Sequence, residues 1–328
     1  MAQDLEKARD IALSDARNIR CDSLFYRTDI GKEVLGNTLN RVIISGTEIA
    51  NKIKKGLKEE TDSLKEKSGK VPHLAVVLVG NDPASANYVN TKGKTSLQLG
   101  YKHTAVHLPE EISEEELLSK IAEMNSDADI NGILVQLPLP KHINKNRVIR
   151  AIAPEKDVDA FHPMNVSSLW QKTPGILPCT PKGIIRMLDE AGIPIEGSHA
   201  VVIGRSNIVG FPVAKMLLDR NATVTVAHSH TRNLASITRE ADILVVAIGK
   251  AKMITADMVK PGAAVIDVGI NQDNETGRMC GDVDFEAMKE KVSIISPVPG
   301  GVGPMTIACL MENTMECFKQ QNPDLFKN

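Results

Sequence analysis

The stretch VVIGRSNIVGFPVAKML, Val201 to Leu217, decides the fold. A β-branched apolar run ends at Gly204, a polar turn follows, and helical periodicity begins at Gly210. Strand, glycine turn and helix together form the opening unit of a nucleotide-binding α/β layer. The match to the G-x-G-x-x-G fingerprint is incomplete. Gly204 and Gly210 are six positions apart, and Ser206 stands where the second glycine would be. Taken alone, the loop leaves a plain glycine turn open. Arg205 opens the turn, where a guanidinium can pair with a phosphate. The next strand ends in His228-Ser229-His230 rather than in the acidic residue that selects NAD, so the pattern favours NADP.

Outward from this unit the alternation continues. Strand-like runs recur at 222–228, 242–249, 263–270 and 292–296. Upstream, an amphipathic helix over Gly46–Lys67 precedes the buried-type run HLAVVLVG at 73–80. Asp82-Pro83 then supplies an N-cap and a first-turn proline. YKHTAVHL follows as a strand, Ser113 to Glu116 as a capping box, and NGILVQLPL as a strand again. The fold class is α/β: two α/β domains around a cleft, the second a Rossmann-type NADP-binding domain. The expected boundaries are an amino-terminal extension over 1–40, a first domain over 41–180 with 305–328, and a second over 181–304. The extension reads as one docked helix.

The chain has 328 residues, a net charge of −2 and ten aromatic residues, which excludes a basic nucleic-acid surface. No run of about 20 apolar residues suggests a membrane span. Early acidic residues and the lack of an apolar leader make a cytoplasmic location the default expectation. The five cysteines have no C-x-x-C spacing and the eight histidines form no H-E-x-x-H, so no catalytic metal is expected.

Three stretches outside the glycine turn carry candidate chemistry. In DPASANYVNTKGK, Tyr88 and Lys92 are i and i+4 on a helix that starts at a sheet's carboxyl edge. A phenol beside an amine can hold a flat heterocycle, and a desolvated lysine can act as acid or base. Most helical lysines are simply solvated, and spacing does not separate the two cases. Gln136 closes an otherwise apolar strand and needs partners. In EKDVDAFHP, one of Asp157 and Asp159 can meet a substrate while the other bonds backbone.

YVNTK, LVQLPLP, APEKDVDAFHP, PCTPKG, GRSNIVGFP, DVGIN and PVPGGVGPMT, in this order, resemble the bifunctional methylenetetrahydrofolate dehydrogenase/methenyltetrahydrofolate cyclohydrolase family over about residues 41–320. The resemblance implies oxidation of a methylenetetrahydrofolate with NADP, hydrolysis of the methenyl product, a homodimer, and service to one-carbon metabolism and purine biosynthesis. It implies that Lys92 is the main catalytic group, with Gln136, Tyr88 and Asp159 beside it. Val135 and Leu137 would line the folate site, and Pro299, Gly300, Gly301, Val302 and Gly303 would form its wall. Gly204, Arg205 and Ser206 would hold NADP, with Ser229 near the ribose phosphate and Ile270 near the nicotinamide. Gly93 departs from the bulkier residue usual after the lysine and would loosen it. His230 departs from a usual basic or aromatic residue. A dehydrogenase of the same shape acting on another small acid is the alternative, but it has no need of the Y-x-x-x-K and VQLPL pair.

Overall fold

The structure, a computed structural model, describes residues 42–273 and 276–326, with Ile11 and Ser14 besides. It divides into a unit Met1–Val42 and a unit Ile43–Asn328. The helix expected in the extension lies, apart from Ile11 and Ser14, outside the described residues.

The first half runs β1 (Val42–Ile43), α1 (Gly46–Ser68), β2 (His73–Val79), α2 (Pro83–Gln98), β3 (Lys102–Leu108), α3 (Glu114–Ser126), β4 (Gly132–Val135), α4 (Lys145–Ala151), α5 (Pro163–Gln171) and α6 (Cys179–Glu190). The second runs β5 (His199–Ile203), α7 (Gly210–Asp219), β6 (Thr223–Ala227), α8 (Leu234–Thr238), β7 (Ile243–Val246), β8 (Ala264–Asp267), β9 (Asn271–Gln272), β10 (Met279–Cys280), α9 (Phe285–Met288), β11 (Ile294–Ile295) and α10 (Val302–Gln321). The helix starts follow the sequence signals. Asp82 accepts from Ser85 N at 2.8 Å, and Ser113 and Glu116 cap each other's backbone. The strand expected over 131–139 stops at Val135, because Pro138 has no N–H to offer a ladder. The antiparallel pair β9–β10 is too short and polar to read from the sequence.

Two sheets result. One has the order β3-β2-β4, the other β1-β11-β8-β7-β5-β6, and the pairings among β2 to β8 are parallel. In each, the first strand of a βαβ unit lies between the strands that follow it. The chain therefore leaves β2 and β5 at switch points, where such sheets bind ligands.

Strand alternation sorts the cores. Leu74, Val76, Leu78 and Leu134 pack toward α1, α2 and α10, whereas Ala75, Val77, Ile133 and Val135 pack toward α3 and α4. Helices α1 and α10 each belong to two cores. Ile49 and Ala50 of α1, with Met305 and Ala308 of α10, pack on the six-stranded sheet. Leu57 and Leu64 of α1, with Leu310, Met311 and Phe318 of α10, pack on the three-stranded sheet. The start of α1 docks on the glycine turn before α10: Thr47 N donates to Gly300 O at 3.0 Å. A Cβ on Gly46 would lie 1.8 Å from Gly301 O. Gly46→Ala must therefore part the helix from the turn, and should cost about 1–3 kcal/mol or more. Chemical denaturation of this variant against wild type measures it.

Candidate active site

Helix α2 starts at the carboxyl end of β2, and Gln136 follows the carboxyl end of the neighbouring β4. Their side chains meet: Lys92 Nζ donates to Gln136 Oε1 at 2.9 Å, with Lys92 only 9% exposed. Gln136 Nε2 donates to Leu137 O at 2.6 Å, so the amide is oriented with its oxygen toward the lysine. Gln136 N also donates to Val77 O at 2.8 Å, which holds the backbone in the β2 register although the strand has ended.

Asp159 comes from a tightly tied loop. Lys156 is buried, and its ammonium donates to the carbonyls of Met124, Asn125 and Asp127 at the end of α3. Burial lowers its pKa. Asp157 accepts from His162 N at 2.7 Å and from Asn165 Nδ2 at 2.9 Å. From α10, Asn313 Nδ2 donates to Val158 O and Leu177 O, both at 2.8 Å. Asp157 is thus the backbone-bonding aspartate, and Asp159 is left facing Lys92. Burial pushes the Asp159 carboxyl above its usual range, and the Lys92 charge draws it back.

A cavity of about 290 Å³ lies between the two sheets. Tyr88, Lys92 and Gln136 line it from the first sheet's side, and Val209, Val268, Ile270, Val302 and Gly303 from the other. A cavity of about 200 Å³ adjoins it, adding Leu137, Asp159, Phe161 and Ile208. The two share Lys92, Gln136, Thr180, Val209 and Thr306, so the lysine stands at the junction of one cleft. Tyr88 is half-buried in its wall, and burial raises its pKa. A larger hollow of about 490 Å³ lies elsewhere along α10. Its cations are engaged: Lys182 and Arg186 on Glu312, Lys319 on Glu60.

The remaining expected residues distribute as follows. Gly204, Arg205, Ser206 and Ser229 lie along the carboxyl edge of β5 and β6, outside both cavities. Gly204 has φ +122°, and its missing Cβ would sit 2.2 Å from Ala247 O; one on Gly210 would meet Gly204 O at 2.1 Å. Ser206 Oγ accepts from Val209 N and Gly210 N, covering free donors at the start of α7. Arg205 and Ser229 are exposed. This open edge with two backbone-only positions, an arginine and no acidic residue fits a dinucleotide phosphate. Val135 points to the α3 side of its sheet, away from the cleft, because strand alternation puts it opposite Leu134. In the turn just before Val302, a Cβ on Gly301 would meet Pro297 O at 2.5 Å, so that glycine serves the turn's own packing. Gly303 has open space before it and faces the cavity. Thr180, Val209 and Thr306 were not singled out in the sequence, although each lies inside one of the motifs quoted above.

Residues 44–159 match the tetrahydrofolate dehydrogenase/cyclohydrolase catalytic domain, and residues 178–322 match the NAD(P)-binding domain of the same family. The chain belongs to the tetrahydrofolate dehydrogenase/cyclohydrolase family. It is 57% identical over 274 residues to the bifunctional protein FolD of Streptococcus pneumoniae, covering 84% of this chain and 96% of that one. It is 56% identical to that of Geobacillus thermodenitrificans, covering 85% and 97%. The crystal structure of the bifunctional enzyme FolD from Campylobacter jejuni superposes with a TM-score of 0.83 at 49% identity, covering 85% of this chain and 99% of that one. The Trypanosoma brucei enzyme, complexed with NADP cofactor and inhibitor, gives 0.82 at 38% identity, covering 85% and 97%.

Gly93, beside Lys92, is buried in a helix that packs closely on β3. A Cβ there would lie 2.6 Å from His103 Nε2, and that ring is held by Leu74 O at 3.2 Å from Nδ1. The glycine is a close approach between α2 and β3. Alanine at this position gains about 1 kcal/mol of helix propensity and loses about 1–3 kcal/mol to overpacking. Gly93→Ala should be destabilised, and adding His103→Ala should recover stability relative to the Gly93→Ala single variant. Thermal unfolding of the set measures the coupling.

Proposed function

We propose that this chain oxidises 5,10-methylenetetrahydrofolate to the methenyl form with NADP and hydrolyses that product to 10-formyltetrahydrofolate. The observation that carries this reading is the Lys92–Gln136 pair at 2.9 Å, placed where the two cavities of the cleft join. Family membership and the NAD(P)-binding match support it. The folate would lie on the side of residues 41–180 with 305–328, and NADP along residues 181–304. Gly204, Arg205, Ser206 and Ser229 would hold the cofactor phosphates, and Ile270 the nicotinamide side. When bound, the cofactor accepts a hydride from the carbon between N5 and N10.

The protein's own part is mostly orientation. Tyr88 supplies a flat, half-buried face for the heterocycle. The Asp159 carboxylate accepts from pterin N–H groups at the end of the adjoining cavity. Loss of hydride leaves a substrate cation. Water adds to its central carbon and gives up a proton. The C–N5 bond then breaks as the new hydroxyl gives up its own proton and N5 takes one, leaving the formyl group on N10 and one proton released overall. Lys92 passes these protons, held in place by an amide that cannot turn away. The 10-formyl product is a one-carbon donor of the kind purine biosynthesis consumes.

A homodimer and a cytoplasmic location accompany the proposal. Trp170 on α5 and Phe211 and Leu218 on α7 are exposed, with Lys215 Nζ 5.9 Å from the Trp170 ring centroid. An apolar face of this kind, spanning α5 and α7, supports self-association.

Lys92→Met should abolish hydrolysis of methenyltetrahydrofolate and leave NADP binding intact; stopped spectral assays and a cofactor titration report both. For pH, the sign follows from Asp159. Its pKa is raised, so acid protonates it earlier than an ordinary aspartate and removes the anion that binds the pterin. KM for the folate should rise as pH falls through that value in wild type. In Asp159→Asn, KM should be high and flat over the same range.

A further inference from the structure

We propose that Asp282 is a positioning residue for the dehydrogenase step, tying two loops into one rigid wall on the nicotinamide side of the cleft. This rests on the function proposed above. Asp282 is fully buried, with 0% exposure. Its Oδ2 accepts from Ile248 N at 2.7 Å and from Gly249 N at 3.1 Å. Its Oδ1 accepts from Lys250 N at 2.7 Å and from Asn271 Nδ2 at 2.9 Å. Residues 248–250 lie just beyond the carboxyl end of β7, and residues 268–271 just beyond that of β8. One carboxylate therefore joins the loops of two adjacent strands at the edge that faces the cleft.

The contact is intimate. Gly269 leaves room for the carboxylate, since a Cβ there would lie 2.2 Å from its carbon. The residues on either side of that glycine, Val268 and Ile270, line the cavity opposite Lys92. The carboxylate thus braces the wall from behind. Asp267 braces it again: its carboxylate accepts from Gly269 N at 3.0 Å, Asp282 N at 2.9 Å and Val283 N at 3.0 Å. Burying a charge is costly unless it is fully bonded, and a fully bonded buried network gives rigidity rather than net stability. Asp282 touches neither cavity, so its effect passes through Ile270 and the 248–250 turn.

Hydrolysis of the methenyl product needs no nicotinamide, so the two activities separate a positioning role from a merely structural one. Both are measured on the full chain for wild type, Asp282→Asn and Asn271→Ala. Asparagine at 282 turns one acceptor oxygen into an NH₂ group facing N–H donors; Asn271→Ala removes a single tie. We expect dehydrogenase kcat/KM for NADP to fall by about tenfold or more in Asp282→Asn, and by a smaller factor in Asn271→Ala, for a sub-ångström to ångström displacement. Cyclohydrolase turnover should stay within about twofold of wild type, because the Lys92 side is untouched. Parallel loss of both activities, or no selective loss of dehydrogenase in either variant, overturns the proposal. If Asp282→Asn does not fold, the selectivity of Asn271→Ala decides. Wild type inactive in both assays would instead sink the function itself.

Discussion

Helices α1 and α10 pass through two cores each, and the cleft depends on that arrangement. The first turns of both helices pack on the six-stranded sheet and their later turns on the three-stranded sheet. Neither sheet can move far from the other without exposing Met305 and Ala308 at one end of α10, or Met311 and Phe318 at the other. Apolar burial of about 1.5–3 kcal/mol per large side chain makes such separation expensive. The contact of α1 with the Gly300–Gly301 turn locks the two helices at their starts. The SPVPGGVGPMT segment, with three prolines and three glycines in eleven residues, is therefore a joint of the scaffold before it is a wall of the cleft.

Upon that scaffold the polar chemistry is arranged by loops with no slack. Asp157 and Asn313 use buried side chains to bind backbone around Asp159, and Lys156 ties the same loop to the end of α3. Across the cleft, Asp267 and Asp282 do the same around Gly269. Both sides follow one physical rule. A buried polar group must be paired, and a loop that supplies the partners is fixed by them. The Lys92–Gln136 pair sits between these two braced edges, where a substrate carbon and a cofactor ring could be held in register.

Much of the fold was legible because the signals were local. β-branched runs, the Asp82 and Ser113 caps and the glycine turn at Gly204 each depend on a few neighbours in sequence. The i, i+4 spacing of Tyr88 and Lys92 was legible for the same reason, and both line the same cavity. Roles that depend on a face were harder. The resemblance assigns Val135 to the folate site beside Gln136, yet the strand's two-residue period turns its side chain to the opposite face from Leu134.

By itself, the sequence determined the alternation of strands and helices, the cleft-edge position of the candidate lysine and the family to which its motifs belong. Periodicity, capping and motif order are written along the chain. Tertiary structure alone decided that Gly93 makes room for His103, that Gly46 makes room for the Gly301 carbonyl, and that Asp282 braces Ile270. These depend on close approaches between segments far apart in sequence, where an atom more or less is felt, and no local pattern records them.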